Sequence, residues 1–218
     1  RFERIARFGP LIGLVLGGIQ ALFWWLTASW LPLGAQVALV LALGLVLTGG
    51  LHVDGAMDTA DGLGAGARAL EAMADSRVGA SGVQALALLL LLRVAALVCL
   101  ATAAPWFLLW AAFWGRVAPL LAMAWFPYLR DQGSAAFHRQ HWRGLLPELA
   151  PALLALLLAL LGWAWAGWPL PDGIGLLPAL LVPLWFGRRL GGHSGDTYGA
   201  CVEWSETLAL LLSGLGLR

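Results

Sequence analysis

Residues Ala80–Ala101 read ASGVQALALLLLLRVAALVCLA, 22 residues that carry a single charge, Arg93. A helix needs about 20 consecutive apolar residues to cross the hydrocarbon core of a bilayer, and this stretch is long enough. Similar runs lie on both sides of it. Spanning helices are predicted near Pro10–Leu31, Gly34–Gly50, Trp106–Pro127, Glu148–Trp168, Ile174–Phe186 and Gly199–Leu217. The expected fold is therefore all-α, a polytopic transmembrane helical bundle of about seven spanning helices. It is read as one integral membrane domain over residues 1–218, with a short N-terminal segment expected to precede it.

Composition agrees. Hydrophobic residues make up 61% of the chain and charged residues 11%, against roughly 25% charged in a soluble domain. The mean hydropathy is +0.82. A formal net charge of +1 gives no reason to expect a nucleic-acid partner; the expected surroundings are membrane lipid. Cys99 and Cys201 both fall inside apolar runs without metal-ligand spacing and are read as packing residues.

The distribution of charge is more informative than its sum. There is no lysine, so all 13 basic residues are arginine. The links after the first, third and fifth spans are short and nearly uncharged. The links after the second, fourth and sixth are polar. Arg1, Arg4, Arg7, Arg68, Arg77, Arg130, Arg139, Arg143, Arg188 and Arg189 thus fall on one side, and only Arg218 on the other. Arginines in short loops favour the cytoplasm, which places the polar loops there. Trp24, Trp25, Trp30, Trp163, Trp165 and Trp168 gather near the opposite interface as an aromatic belt.

Within the polar links, one stretch stands out: GGLHVDGAMDTADG, residues 49–62. Asp54, Asp58 and Asp61 are spaced i, i+4, i+7, which puts them within an arc of about 60° on one helix face. Three carboxylates that close repel one another strongly unless a cation sits among them. A hard divalent ion such as Mg²⁺ takes oxygen ligands and bridges to substrate phosphates. A solvated acidic turn is the plainer reading, but acids at a membrane edge are costly and mark functional sites.

Other patches accompany it. Asp75 and Arg77 precede the third span. Residues 191–199, GGHSGDTYG, hold His193, Ser194 and Asp196, and Glu203 and Glu206 follow on one helix face. Those two acids want a metal or an arginine, and Arg93 and Arg116, inside spans, are candidate partners. The two arginines are equally candidates to hold a phosphate. His52 and His193 are read as hydrogen-bonding rather than metal-ligating residues. Tyr128, Arg130, Asp131, Gln132 and Gly133, continuing to His138, Arg139, His141 and Arg143, form a basic loop suited to a polyanionic substrate or to topology alone.

These blocks together resemble the cobalamin synthase family, the adenosylcobinamide-GDP ribazoletransferases. The likeness covers nearly the whole chain: Pro10 to Gly13, Gly49 through Gly62, Asp75 through Gly79, the Tyr128/Arg130/Gly133 loop, and Gly191 through Asp196 with Gly199, Glu203 and Glu206. Three departures are visible: the family's usual N-terminal segment is missing, His193 replaces Gln, and Ala56 replaces Leu. The resemblance implies an enzyme that joins α-ribazole or its phosphate to adenosylcobinamide-GDP, releases GMP and forms adenosylcobalamin or its phosphate, with Mg²⁺ as cofactor. It implies an integral protein of the bacterial cytoplasmic (inner) membrane with its active site facing the cytoplasm. Homo-oligomerisation stays open.

The expected roles are then catalytic for Asp58, Asp61, Asp75 and Asp196. His52, Arg77, Arg116, Arg130, His193 and Ser194 are expected to bind substrate. Asp54, Asp58, Asp61, Glu203 and Glu206 are the expected metal ligands. Two rival readings remain at this point. A CDP-alcohol phosphotransferase would need Ala-Arg where Asp58-Thr59 stands, and an ion-coupled transporter would put its acids near the bilayer midplane.

Overall fold

A computed structural model describes residues 4–130 and 135–216, with the side chain of Arg139 left out. Arg1, Arg218, Asp131, Gln132 and Gly133 lie outside the described residues. The elements are helical throughout and no β-strand occurs among the described residues. In chain order they are α1 (Gly9–Thr27), α2 (Leu33–Thr48), α3 (Leu51–Ala65), α4 (Ala69–Ala72), α5 (Ala80–Leu100), α6 (Ala104–Trp125), α7 (Ala136–Gln140), α8 (Leu145–Ala166), α9 (Leu176–Leu190) and α10 (Gly195–Gly216).

By length and composition, three helical stretches suffice to cross a membrane: 5–27, 80–125 and 145–166. The second contains both α5 and α6. Ala101 adopts a left-handed φ of 45° between them, and the chain reverses there. Gly214, near the end of α10, packs on Ala96 and Leu100 of α5. Ala104 and Leu108, at the start of α6, share a core cluster with Ala209 and Leu210. A fourth candidate is a bent pair: α2 and the helical stretch 51–72, which begins with α3, meet at 91°. Gly49 and Gly50 make that break, with φ of 60° and 72°, a region that glycine enters without a Cβ clash. The predicted second span therefore does not run straight into the acidic face. It turns first, and α3 carries the three aspartates at an angle across the bundle. With 15 residues, α9 is short for a span, and α10 carries Asp196, Glu203 and Glu206.

The bundle is built around α6 and α10. Helix α6 packs on α1, α9 and α10, and α10 also packs on α3, α5 and α9. Gly13 and Gly17 let α1 approach the backbone of α6 at Ala112 and Leu108 closely. Gln20 Nε2 donates to Val40 O at 3.1 Å and Gln36 Nε2 to Trp24 O at 2.8 Å. These bonds tie α1 to α2 where an unpaired amide in hydrocarbon would be expensive. Leu153, Leu154, Leu157 and Leu158 of the peripheral α8 are exposed, as expected of a face that meets lipid.

Candidate functional site

The site begins where α3 crosses α10. A Cβ on Gly55 would stand 2.7 Å from Asp196 O, and one on Gly199 3.1 Å from His52 O. Two glycines at facing positions allow this contact, and it brings the acidic face of α3 against the first turn of α10. A cavity of about 430 Å³ opens beside the crossing. Asp54, Asp196 and His138 line it together with His52, Tyr198 and Arg116. Much of its remaining wall is apolar and comes from α1, α6 and α10, including Ile12, Leu120, Met123 and Val202, with Leu51 of α3 beside them.

The three aspartates of α3 are not equivalent. The carboxylates of Asp54 and Asp58 have no hydrogen bond or ion pair with any described residue, yet Asp58 lies within electrostatic reach of Asp54, Asp196, Asp61 and Arg130. Asp61 is already engaged. Its Oδ2 accepts the Gly79 N–H and its Oδ1 the Gly82 N–H, both at 2.8 Å. It therefore caps the N-terminus of α5, where orphan N–H groups and the helix dipole favour an anion. Asp196 pairs with Arg130 at 2.8 Å and accepts a 3.3 Å hydrogen bond from Ser194 Oγ.

Several residues expected to touch substrate or metal have other partners. His193 is fully buried. Its Nδ1 lies 3.0 Å from Thr197 Oγ1 and its Nε2 3.1 Å from Pro183 O. Its backbone also bridges to the 127–129 segment: His193 N–H donates to Pro127 O and Leu129 N–H to His193 O. Ser194 is buried as well, and its N–H donates to Thr197 Oγ1 at 2.7 Å. Both shape the turn that presents Asp196 and Arg130 and do not face the cavity. Asp75 and Arg77 pair with each other at 2.6 Å on the surface. The hydrogen bonds from Arg77 hold the Asp75 carboxyl down at about 2. Neither lines the cavity.

Glu203 and Glu206, expected as metal ligands, are held by arginine inside the bundle. Arg93 Nη2 reaches Glu203 Oε2 at 2.8 Å, and Arg93 Nε donates to Thr207 Oγ1 at 2.8 Å. Arg116 Nη1 lies 3.1 Å from Glu206 Oε2. The two arginines and two glutamates balance in charge, the arrangement that buried ions require. They line one side of a second, small cavity of about 30 Å³, whose other walls are largely apolar, with Gln20 and Thr48 among them; it is large enough for a water. Arg116 borders both cavities, so it links the ion-pair network to the site.

Among the described residues no three Asp, Glu, His or Cys side chains stand close enough to hold a metal by themselves. That does not exclude Mg²⁺ from the rim. Mg²⁺ is commonly bound through one or two carboxylates plus waters and substrate phosphates, and Asp54 and Asp58 are two hard oxygen donors that no described residue engages by hydrogen bond or ion pair. Two cavity-lining residues were given no site role by the sequence: His138, noted there only as part of the basic loop, and Tyr198. Burial and the nearby His141 lower the pKa of His138. Tyr198 stacks between Tyr128 and His193, with ring centroids 6.0 and 5.7 Å away. Its place in the GGHSGDTYG block was the one signal available.

Fold and site together define a class, a polytopic helical membrane protein with an acid-rimmed, arginine-backed cavity at one end of its bundle. The Cobalamin-5-phosphate synthase family model matches residues 1–214. The chain belongs to that family. Among its relatives is an adenosylcobinamide-GDP ribazoletransferase of Prochlorococcus marinus (strain MIT 9303), 57% identical over 97% of this chain and 86% of the relative. Proteins of the same name from Thermosynechococcus vestitus and Synechocystis sp. are 46% and 42% identical, over 97% and 99% of this chain and 86% of each relative. No solved structure matches. Membership over this length displaces the phosphotransferase and transporter readings.

Proposed function

We propose that this chain joins α-ribazole, or its phosphate, to adenosylcobinamide-GDP, releasing GMP and forming adenosylcobalamin or its phosphate. One observation carries this reading: the family match runs over residues 1–214. The release of GMP fixes the bond change. A ribose hydroxyl oxygen bonds to the phosphorus on the cobinamide side of the diphosphate, and the bond from that phosphorus to GMP breaks. The hydroxyl proton leaves to a base, and GMP departs with the electron pair. Catalysis of this kind rests on positioning and charge stabilisation, with little covalent work by the protein.

Asp54 and Asp58 are the residues that would hold Mg²⁺, and a bound Mg²⁺ would neutralise charge on the diphosphate. Asp196, which lines the cavity, would orient the attacking hydroxyl. Arg130, paired with it, offers a cation beside the incoming phosphates. Asp61 acts at one remove by fixing α3 against the start of α5. The concentration of arginine at this end supports a cytoplasm-facing site in the bacterial inner membrane.

The test uses the full chain purified in detergent with adenosylcobinamide-GDP, α-ribazole and Mg²⁺. GMP should appear only when both substrates are present, and chelation should stop it. Absence of GMP from a folded preparation overturns the reading, and undiminished release under chelation overturns the role of Mg²⁺.

A further inference from the structure

We infer that the 430 Å³ cavity beside the α3–α10 crossing binds the nucleoside substrate base-first. The benzimidazole lies against the apolar wall, and the ribose faces Asp54 and Asp196. This rests on the proposed reaction and assigns one of its two substrates to a place.

Size gives the first argument. A cavity of this volume lies near the lower end of the range that holds drug-sized molecules, about 300–1,000 Å³. A nucleoside fits such a space. A corrin macrocycle carrying adenosyl and GDP arms is several times larger and can only approach from outside the rim. The wall gives the second. Ile12, Leu120, Met123 and Val202 present hydrocarbon and one thioether, and thioethers pack favourably on aromatic rings. A methylated benzimidazole is flat, aromatic and uncharged, and the cavity suits it far better than a diphosphate.

Charge gives the third argument and sets the orientation. Among the described residues Arg116 is the arginine that lines the cavity, and it is already balanced by Glu206 at 3.1 Å. The site therefore does not offer a bare positive charge to phosphate. Arg116 Nη1 is further committed to Ala112 O at 3.0 Å, but a guanidinium carries five N–H donors. Those remaining match the unsubstituted ring nitrogen of the base, an acceptor. The acids stand at Asp54 and Asp196, where a ribose hydroxyl can donate to them. Base inward and sugar outward gives the ring nitrogen a donor at Arg116 and the ribose hydroxyls acceptors at Asp54 and Asp196. It presents the nucleophile to a diphosphate held at the rim.

Ile12→Trp and Val202→Phe each add bulk to the wall. Ile12 is 47% exposed, so the first change asks little of the core. The full-length variants in detergent are compared with the parent in two ways: steady-state GMP release with each substrate varied, and equilibrium dialysis of α-ribazole alone. The KM for α-ribazole should rise roughly tenfold or more, the scale on which pocket shape discriminates. The KM for adenosylcobinamide-GDP should stay within about twofold, and retained α-ribazole should fall in dialysis. A rise in the adenosylcobinamide-GDP KM with that for α-ribazole unchanged overturns the assignment, as does no change in either. Thermal unfolding identifies a variant that fails to fold, and the second variant then carries the test. If the parent retains α-ribazole in dialysis and releases no GMP, the reaction is wrong while the nucleoside site stands.

Discussion

Asp58 and Asp61 lie three residues apart on one helix and are expected to fail differently when changed. Asp61 spends both oxygens on the backbone of α5. Asp61→Ala removes that cap and should lower stability by roughly 0.5–2 kcal/mol, the range for capping side chains. Asp58 has no such partner. Asp58→Asn keeps the size of the side chain and loses its charge, so unfolding in detergent should match the parent. GMP release should fall by at least about tenfold, the loss of a little over one kcal/mol of transition-state stabilisation, and the remainder should need more Mg²⁺. Unfolding curves and Mg²⁺ titrations on both variants check this. An Asp58→Asn enzyme with parental rate and Mg²⁺ dependence would place the metal elsewhere. Spacing showed that the three carboxylates share a face. It could not show that one of them is taken up by Gly79 and Gly82, 18 and 21 positions away in the chain.

Helix α10 is where the elements meet, and its buried acids hold them together. Glu203 reaches Arg93 on α5, and Glu206 reaches Arg116 on α6. Arg93→Leu leaves Glu203 charged and unpaired in an apolar interior, a change that costs roughly 3–5 kcal/mol. The double variant Arg93→Leu/Glu203→Leu removes both charges and should recover most of that loss. Thermal unfolding of the parent, both single variants and the double variant in detergent measures the coupling. Equal stability across all four would mean that Arg93 reaches water or lipid headgroups instead. The i, i+3 spacing of Glu203 and Glu206 put both on one side of α10. It left open whether an arginine or a metal answered them, because the partners come from two other helices.

On the scale of the whole molecule the charge asymmetry becomes a claim about orientation. Ala67, Gln140 and Arg188 are exposed at the arginine-rich end, and Gly173 is exposed in the link between α8 and α9. Single cysteines at these positions, with Cys99 and Cys201 replaced, can be probed in intact bacteria with an impermeant maleimide. Gly173→Cys should label readily. Ala67→Cys, Gln140→Cys and Arg188→Cys should label only after the cells are opened. Labelling of any of those three from outside would break the common-side assignment.

The sequence by itself determined that the chain is a helical membrane protein, which end holds its charge, and which acids cluster. Each of these is a local property: apolar run length, arginine placement in short links, and residue spacing on one helix. Tertiary structure decided the rest. The 91° break at Gly49–Gly50 turned the acidic face across the bundle, and Gly55 and Gly199 set its distance from Asp196. His193 and Ser194 became supports for a turn, and Glu203 and Glu206 became ion-pair partners. An isolated segment fixes which groups are available. Only the packing of α1, α3, α6 and α10 fixes which of them remain unpaired beside a cavity, and an unpaired group is the one free to bind a substrate.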